Sequence, residues 1–311
     1  MLIHIGFRKA ASSFLQAHVF GDPDGPFGVI SAKHPELFGI PVADELPYDP
    51  ETANQVFTNA REQTRQAGKF PVLSRERYAG RSSHAGPKLD TLSTRLETMA
   101  RLKQLEPKAK ILLVIREQLS AQLSTHNQYV KLGGKFPLRR YSSPAYRKDG
   151  LDQRSHYLYH ELIEAYYQAF GKDRVLVVPY ELLKSDANVF VKQITDFCGI
   201  AFWRRDWDKI PAANAGLNET ANVLKRMTNI AVDFWPHDTK EGKGRLPWSV
   251  HRRIARIVNM ATSRGFSGLN SRLRGRARAQ LEAINGDHFA RSNRLTEQLT
   301  GLDLGQYGYR L

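Results

Sequence analysis

Cysteine, long apolar runs and acidic residues are all scarce in this chain of 311 residues. Cys198 is the only cysteine, so no disulfide can form within the chain, and we expect a buried thiol in a reducing compartment. No stretch approaches the ~20 consecutive apolar residues that a membrane-spanning helix needs. The first apolar segment begins at Leu2, which leaves no room for a signal peptide before it, and we therefore expect a cytoplasmic protein.

The shortage of acidic residues leaves the chain strongly basic. There are 46 Lys and Arg against 31 Asp and Glu, which gives a net charge of +15. Such an excess favours an anionic partner, whether a nucleic acid, an acidic glycan, a phospholipid surface or a nucleotide. With 41% apolar and 25% charged residues, the composition is that of a globular chain. We expect a single domain over 1–311, with a core sheet in about 1–200 and a basic helical part in about 201–311.

Four short apolar segments predict strands, and each is followed by a helical pattern. These strands are Leu2 to Ile5, Val72 to about Glu76, 111–116 and 174–180. Helices are predicted at 51–67, 88–105, after Arg116, before Gly171, before Gly199, and near 219–233, 246–263 and 288–300. Residues 21–50 are rich in Pro and Gly and are expected to be loops. Alternating strands and helices predict an α/β fold, a central parallel sheet flanked by helices, with ligands beyond the carboxyl ends of the strands.

The opening stretch LIHIGFRKAASSFLQ has the features of an anion site. The first strand ends at Gly6, small residues form a turn, and Ser13 and Gln16 have the spacing of a helix capping box. Amide groups converge where such a turn enters a helix, and the helix dipole favours negative charge there. Lys9 adds a cation, and Ala11 is expected to avoid positive φ because it carries a Cβ. An ordinary strand–loop–helix opening would have the same pattern.

The stretch lacks the signature of a nucleoside-triphosphatase P-loop. That motif has two glycines around a longer loop, followed by Lys and then Ser or Thr. Here Gly6 is the only glycine of the stretch, and Lys9 is followed by Ala10. The hydroxyl that binds magnesium in that motif is absent from its place, so the loop is predicted to hold a phosphate without a metal.

Two further charged residues are predicted to lie at strand ends, Glu76 after the second strand and Arg116 after the third. Arg116, seven residues and then Ser124 would provide a planar cation and a hydroxyl on the following helix, which suit a phosphate. A salt bridge at the strand end and an ordinary polar helix residue are the alternatives for this pair.

These two sites together resemble those of sulfotransferases that use 3′-phosphoadenosine-5′-phosphosulfate (PAPS). Gly6, Lys9, Ser12 and Ser13 resemble the 5′-phosphosulfate loop of that family, although Ala10 and Ala11 replace its usual Thr or Ser and Gly. Arg116 and Ser124 resemble its 3′-phosphate site. The segments 174–199 and 289–309 are also similar to segments of the family. The resemblance implies a P-loop-like three-layer fold and a bacterial, cytoplasmic enzyme.

The resemblance also implies a reaction and roles for residues. A sulfonyl group would pass from PAPS to a hydroxyl or amine, leaving adenosine 3′,5′-bisphosphate, without a metal ion. The donor would be held by Phe7, Arg8, Ala10 and Ala11 in addition to the residues just named. Lys9 would stabilise the leaving phosphate, and Glu76 would be the general base, with His84 as the second choice and His126 as a more distant one. The acceptor is expected to be a carbohydrate or glycolipid.

Two other functions stay open at this point. A kinase-like phosphotransferase shares the strand–loop–helix opening, and a nucleic-acid-binding protein would explain the net charge. The segment 251–279 contains eight arginines, and it predicts either a solvated basic helix and loop or a surface for an acidic acceptor or membrane. Lys243, Gly244 and Arg245 are a candidate third loop for the donor.

Overall fold

The computed structural model describes most of the chain. The described residues are 1–30, 49–80, 91–144, 152–203, 206–210, 216–232, 248–263 and 266–311. The predicted residues His84, Lys243, Gly244 and Arg245, and much of the predicted loops around the site, lie outside these ranges.

Five parallel strands form one sheet. The strands are β1 (Leu2–Gly6), β2 (Phe27–Val29), β3 (Phe70–Arg75), β4 (Lys110–Ile115) and β5 (Val175–Pro179). Their order is β2-β3-β1-β4-β5, so β1 lies in the centre. Ile5 pairs with both Arg75 and Leu113, which places the carboxyl ends of β3, β1 and β4 side by side. The predicted fold class, a parallel sheet flanked by helices, is confirmed.

The central strands form because they are apolar on both faces. Every residue of β1 is buried, and so are the five residues of β4 from Ile111 to Ile115. Such strands are covered by helices on both sides, as is usual for a parallel sheet. Since parallel crossovers are right-handed, the connection from β1 to β2 covers one face, and those from β2 onwards to β5 cover the other.

One strand was not predicted. Residues 21–50 were expected to be loops, yet Phe27–Val29 pairs with Phe70–Val72 as the edge strand β2. This strand has only three residues and follows Gly25 and Pro26, so its own pattern is that of a turn. The neighbouring strand β3 supplies the hydrogen bonds that make the segment extended.

Twelve helices lie in the described residues. They are α1 (Ser12–Phe14), which continues as a π turn over Leu15–Val19, α2 (Pro50–Gln66), α3 (Leu92–Leu105), α4 (Gln118–Lys131), α5 (Leu138–Tyr141), α6 (Tyr159–Phe170), α7 (Tyr180–Ser185), α8 (Ala187–Cys198), α9 (Glu219–Val232), α10 (Trp248–Ser263), α11 (Ser267–Asn285) and α12 (Ala290–Thr300). The predicted stops at Gly171 and Gly199 are confirmed, with φ of 89° and 73°. None of these helices is both long and apolar enough to cross a membrane.

The basic segment 251–279 is more helical than predicted. It was predicted as helix and loop, and it contributes to two helices, α10 and most of α11.

Cys198 is buried at the end of α8, as predicted. Burial raises the pKa of its thiol to about 12.

Helix α4 joins the sheet to the carboxyl-terminal helices. Gln118 and Asn293 of α12 exchange side-chain hydrogen bonds in both directions, and so do Gln122 and Asn285 of α11. All four amides are buried. Because a buried amide without its partner is costly, these two reciprocal pairs hold α11 and α12 in register against α4.

The connections that leave β1 and β4 run towards opposite edges of the sheet. The strand that follows β1 along the chain lies towards one edge of the sheet, whereas the strand that follows β4 lies at the other. The connections therefore leave these two neighbouring strands in opposite directions and open a crevice at their carboxyl ends. Ligands bind at such a point in open parallel sheets, and Lys9 and Arg116 follow these two strands.

Candidate active site at the carboxyl ends of the central strands

The loop Phe7–Ala11 turns tightly from β1 into α1. The Ala10 amide donates to the carbonyl of Phe7 (3.1 Å), and Lys9 and Ala11 both have positive φ, 67° and 62°. Ala11 was expected to avoid this conformation, and that expectation is wrong. Backbone in this left-handed conformation beside helical residues turns successive amides into one concavity, which suits an anion. This conformation costs ~1 kcal/mol or more for each residue that is not glycine, so Lys9 and Ala11 are both strained.

Buried polar groups support this loop from below. His4 Nδ1 and Ser74 Oγ are 2.8 Å apart, and Gln16 Nε2 donates to the carbonyl oxygen and Oγ of Ser74, each at 3.2 Å. The predicted capping box of Ser13 and Gln16 is therefore wrong. Ala11 is the N-cap and no side chain caps α1, because Gln16 satisfies the buried oxygens of the neighbouring strand instead.

Gly6 allows the helix start to approach the strand. A Cβ at this position would lie 2.5 Å from Ser12 Oγ and 3.0 Å from His4 Nε2. Both of these atoms are buried without a hydrogen-bond partner, and burial lowers the pKa of His4 to about 3. The neutral imidazole and the Ser12 hydroxyl thus retain unused hydrogen-bonding capacity directly beneath the loop.

Lys9 is half-buried above the sheet edge. Burial is the main reason that its pKa falls to about 8; the charges of Arg8, Arg116 and Lys131 lower it further, and Glu76 opposes them. The charges of these four side chains therefore act on Lys9, and Arg116 also bonds to its backbone carbonyl. Glu76 is exposed and comes directly after β3, the neighbour of β1. The sequence prediction that Lys9, Glu76 and Arg116 follow neighbouring strands agrees with this arrangement.

Arg116 connects the first loop to the end of β4. Its Nη1 donates to the carbonyl oxygen of Lys9 (2.7 Å), and its Nε donates to Ser120 Oγ (2.8 Å). Its guanidinium carbon lies 4.6 Å from the ring centre of Tyr180, the residue that follows β5. These contacts place the Arg116 side chain beside the loop that follows β1 and the residue that follows β5.

Ser124 lies one helical turn beyond Ser120 on α4 and is half-buried. Arg116 itself contacts Ser120, which was not predicted from the sequence, and the assignment of Ser124 to a phosphate stays a prediction. Ser120 was detectable because it lies four residues after Arg116, and Tyr180 because it follows a predicted strand. Lys131, whose charge acts on Lys9, carried no such signal in the sequence.

His84 and His126 are the two histidines predicted from the sequence as alternative general bases. His84 lies outside the described residues. His126 is buried on α4 with its Nε2 3.0 Å from the carbonyl oxygen of Phe136, and burial lowers its pKa to about 4. Its ring packs against Tyr129 and Tyr141, so its surroundings are those of a structural residue. Among the described residues, no group of three His, Cys, Asp or Glu side chains could hold a metal ion.

Ala11→Gly is expected to unfold at the same or a higher denaturant concentration than the parent protein. Glycine removes the left-handed strain, and this gain offsets the roughly 1 kcal/mol of extra chain entropy that glycine loses on folding. Ala10→Gly is the matched control: Ala10 is buried without a positive φ, so it should lose about 1 kcal/mol or more. Equal destabilisation of the two variants would contradict the strained loop.

Comparison with known proteins bears on this site. A model of the sulfotransferase family matches residues 39–205, more than half of the chain. This range includes Glu76, Arg116, Ser124 and Tyr180, and begins after the loop Phe7–Ala11. A search of curated proteins found no match.

Solved structures provide two distant likenesses. A sulfotransferase from Alicyclobacillus acidocaldarius is 17% identical, with a TM-score of 0.48 over 74% of this chain and 92% of that one. The sulfotransferase domain of the olefin synthase of Synechococcus PCC 7002 is 14% identical, with a TM-score of 0.38 over 76% and 95%. The family assignment does not depend on either of them. Because the family model spans more than half of its length, this chain belongs to the sulfotransferase family.

Proposed function

We propose that this protein transfers a sulfonyl group from PAPS to a hydroxyl group, and that the acceptor is a carbohydrate or glycolipid. The observation that supports this most is the hydrogen bond from Arg116 Nη1 to the carbonyl of Lys9. It brings the two predicted phosphate sites to adjacent strand ends. A nucleotide with phosphates at both its 3′ and 5′ positions needs two such cationic sites within its own length.

The residues present fit the phosphosulfate end of this donor. Ser12 Oγ is buried and without a partner beneath the loop, and it can lie this close to β1 only because Gly6 has no Cβ. The left-handed backbone at Lys9 and Ala11 orients the loop amides, and Lys9 supplies a positive charge. We assign Gly6, Phe7, Arg8, Lys9, Ala10, Ala11, Ser12 and Ser13 to this end.

Arg116 and Ser124 are assigned to the 3′-phosphate. Arg116 has Nε and Nη1 engaged with protein oxygens and makes no hydrogen bond or ion pair through Nη2 within the described part of the chain. Its position over Tyr180 fixes the plane of the guanidinium, so the remaining donors have a defined direction. Ser120 restrains Arg116, and Ser124 lies further along the same face of α4.

Each residue has one task in the transfer. PAPS supplies an activated sulfonyl group on a phosphate leaving group. Glu76 accepts the proton of the acceptor hydroxyl while the acceptor oxygen bonds to sulfur and the bond from sulfur to the phosphate oxygen breaks. Lys9 and the loop amides stabilise the negative charge that develops on that phosphate. The reaction is expected to need no metal ion, since Lys9 takes the role of the cation.

Glu76→Gln tests the function directly. With radiolabelled PAPS and a panel of glycans, glycolipids and phenols, the parent protein should label a glycan or glycolipid. The variant should lose ~100-fold or more of the turnover, as is usual when a general base is removed, while its affinity for adenosine 3′,5′-bisphosphate stays the same.

Glu62→Gln is the matched control, because Glu62 is exposed on α2, and it should transfer normally. Absence of labelling of every acceptor by the parent protein would refute the proposed reaction. Loss of nucleotide affinity in Glu76→Gln would instead refute the role of Glu76.

Arg116→Ala should distinguish the two phosphate sites. A lost charge-assisted hydrogen bond costs about 1.5–3 kcal/mol, so affinity for adenosine 3′,5′-bisphosphate should fall about 10- to 100-fold by calorimetry. Affinity for adenosine 5′-monophosphate should fall less, and only because the hydrogen bond from Arg116 to the Lys9 carbonyl is lost and the loop is less restrained. Arg174→Ala, at the opposite end of β5, should bind both ligands normally. An equal loss of both ligands by Arg116→Ala would show that Arg116 acts through the loop alone and does not hold the 3′-phosphate.

Nucleotide affinity should depend on the charge of Lys9. The pKa of Lys9 is about 8, so the cation is present below pH 8 and is lost as the pH rises above it. Affinity for adenosine 3′,5′-bisphosphate should therefore be steady between about pH 7, where the phosphates are dianionic, and the pKa of Lys9, and it should fall at higher pH. Lys9→Arg keeps its charge throughout this range and should remove the inflection near pH 8; if the variant retains it, another group is responsible.

A further inference from the structure

Exposed apolar side chains are concentrated in one part of the described chain. Ten large apolar side chains there are exposed, and eight of these lie between residues 224 and 269. The eight are Leu224, Met227, Ile230, Val250, Ile257, Met260, Phe266 and Leu269. Single exposed apolar residues are normal, but a concentration of them marks an interaction surface.

The solvent face of α10 combines apolar and cationic side chains. Ile257 and Met260 are 61% and 68% exposed, and Val250 lies two turns before Ile257 on the same stripe. Arg253 and Arg256 are also exposed on α10. The helix has three arginines and no acidic residue over Trp248–Ser263. Its opposite face is anchored, because buried Ala255 packs with Val130 of α4 and Ala221 of α9.

Neighbouring α9 adds to this region. Helices α9 and α10 pack against each other, and Leu224, Met227 and Ile230 occupy one exposed face of α9 at intervals of three residues. Two helices that pack against each other therefore both carry exposed apolar side chains.

Helix α10 packs on α4, the helix that borders the candidate site. The two helices are in contact, and buried Ala255 of α10 packs with Val130 near the end of α4. Burial is the main reason that the pKa of Lys131, the last residue of α4, is lowered, and the charges of Arg252 and Arg256 lower it further. The basic face of α10 therefore belongs to the group of helices that is attached to the site through α4.

The chemistry of the face selects one kind of partner. A soluble polyanion would satisfy the arginines but leave Ile257 in water. A second copy in a twofold dimer would cover the apolar groups but would bring the same arginines together. An anionic lipid surface satisfies both, because apolar side chains enter the acyl boundary while arginines meet the head groups.

We infer that the exposed face of α10, together with exposed α9 residues, docks peripherally on an anionic lipid bilayer. The docking itself does not require the proposed function. The docking would favour an acceptor held at the membrane, such as a glycolipid, and this second step rests on the proposed function.

Co-sedimentation of the full chain with vesicles tests this docking. The protein should bind vesicles of equal parts phosphatidylglycerol and phosphatidylcholine, and not vesicles of phosphatidylcholine alone. The double variant Arg253→Gln/Arg256→Gln should bind ~30-fold more weakly, at roughly fivefold for each arginine near an anionic surface. The double variant Ile257→Ser/Met260→Ser should lose about tenfold or more, since both side chains are expected to enter the lipid.

Matched controls use exposed residues elsewhere. Arg291→Gln/Arg294→Gln on α12 makes the same change in net charge, and Val189→Ser on α8 removes another exposed apolar side chain. Both should bind vesicles like the parent protein. Unchanged affinity for adenosine 3′,5′-bisphosphate and an unchanged melting temperature verify that every variant is folded.

Several outcomes would overturn the docking. These are no binding to anionic vesicles, equal loss in the α12 control, or full binding by the Ile257 and Met260 variant, which would indicate a contact with a soluble polyanion. Concentration-dependent dimerisation that is lost in the same apolar variant would favour a second copy instead. Vesicle binding without sulfonyl transfer to any acceptor would refute the proposed function alone, and transfer without vesicle binding would refute the docking alone.

Discussion

The hydrogen bond between Arg116 and the backbone of Lys9 is the contact on which the candidate site depends. It crosses from the end of β4 to the loop after β1. These are the two neighbouring strands whose outgoing connections run towards opposite edges of the sheet. One guanidinium therefore holds the position of the first loop while keeping a donor for a ligand. Tyr180 and Ser120 restrict the same guanidinium from the other side, so the three strand ends are coupled through one side chain.

The loop after β1 shows how a strained backbone is maintained. Lys9 and Ala11 are both left-handed, although neither is glycine. The burial of Phe7 and Ala10, together with the bonds among His4, Ser74 and Gln16, outweighs the local preference of these residues. Part of this support comes from Ser74 of β3, which is distant from the loop in sequence. The rest comes from Gln16, which follows the loop. Strain of this kind, maintained at a site for anions, is consistent with a backbone preorganised for its ligand.

Helix α4 relates the sheet to the rest of the molecule. Its first turn carries Ser120 beside Arg116, its buried amides bind α11 and α12, and Val130 near its end packs with Ala255 of α10. The carboxyl-terminal helices are therefore attached to the same element that borders the candidate site. Arg278 of α11 also lies 3.5 Å from Glu117, the N-cap of α4. A charged side chain of α11 thus reaches the start of α4, directly beside Arg116.

Much of the fold was predictable because the central strands are apolar on both faces. The runs at β1, β4 and β5, the stops at Gly171 and Gly199 and the residues Lys9, Glu76 and Arg116 after strands all follow from local sequence. The edge strand β2 was not predictable, since its hydrogen bonds come from β3 and its own residues resemble a turn. Helix α11 was obscured because a run of arginines is equally compatible with a solvated loop.

The sequence by itself determined the class of fold and the kinds of side chain at the strand ends, since hydrophobic pattern and turn residues act locally. The tertiary structure decided which of these residues meet. It paired Arg116 with Ser120 and with the carbonyl of Lys9. It also turned Gln16 from the start of α1 towards Ser74. Such choices depend on strand order and helix packing, because buried polar atoms find their partners across elements that are far apart in the chain.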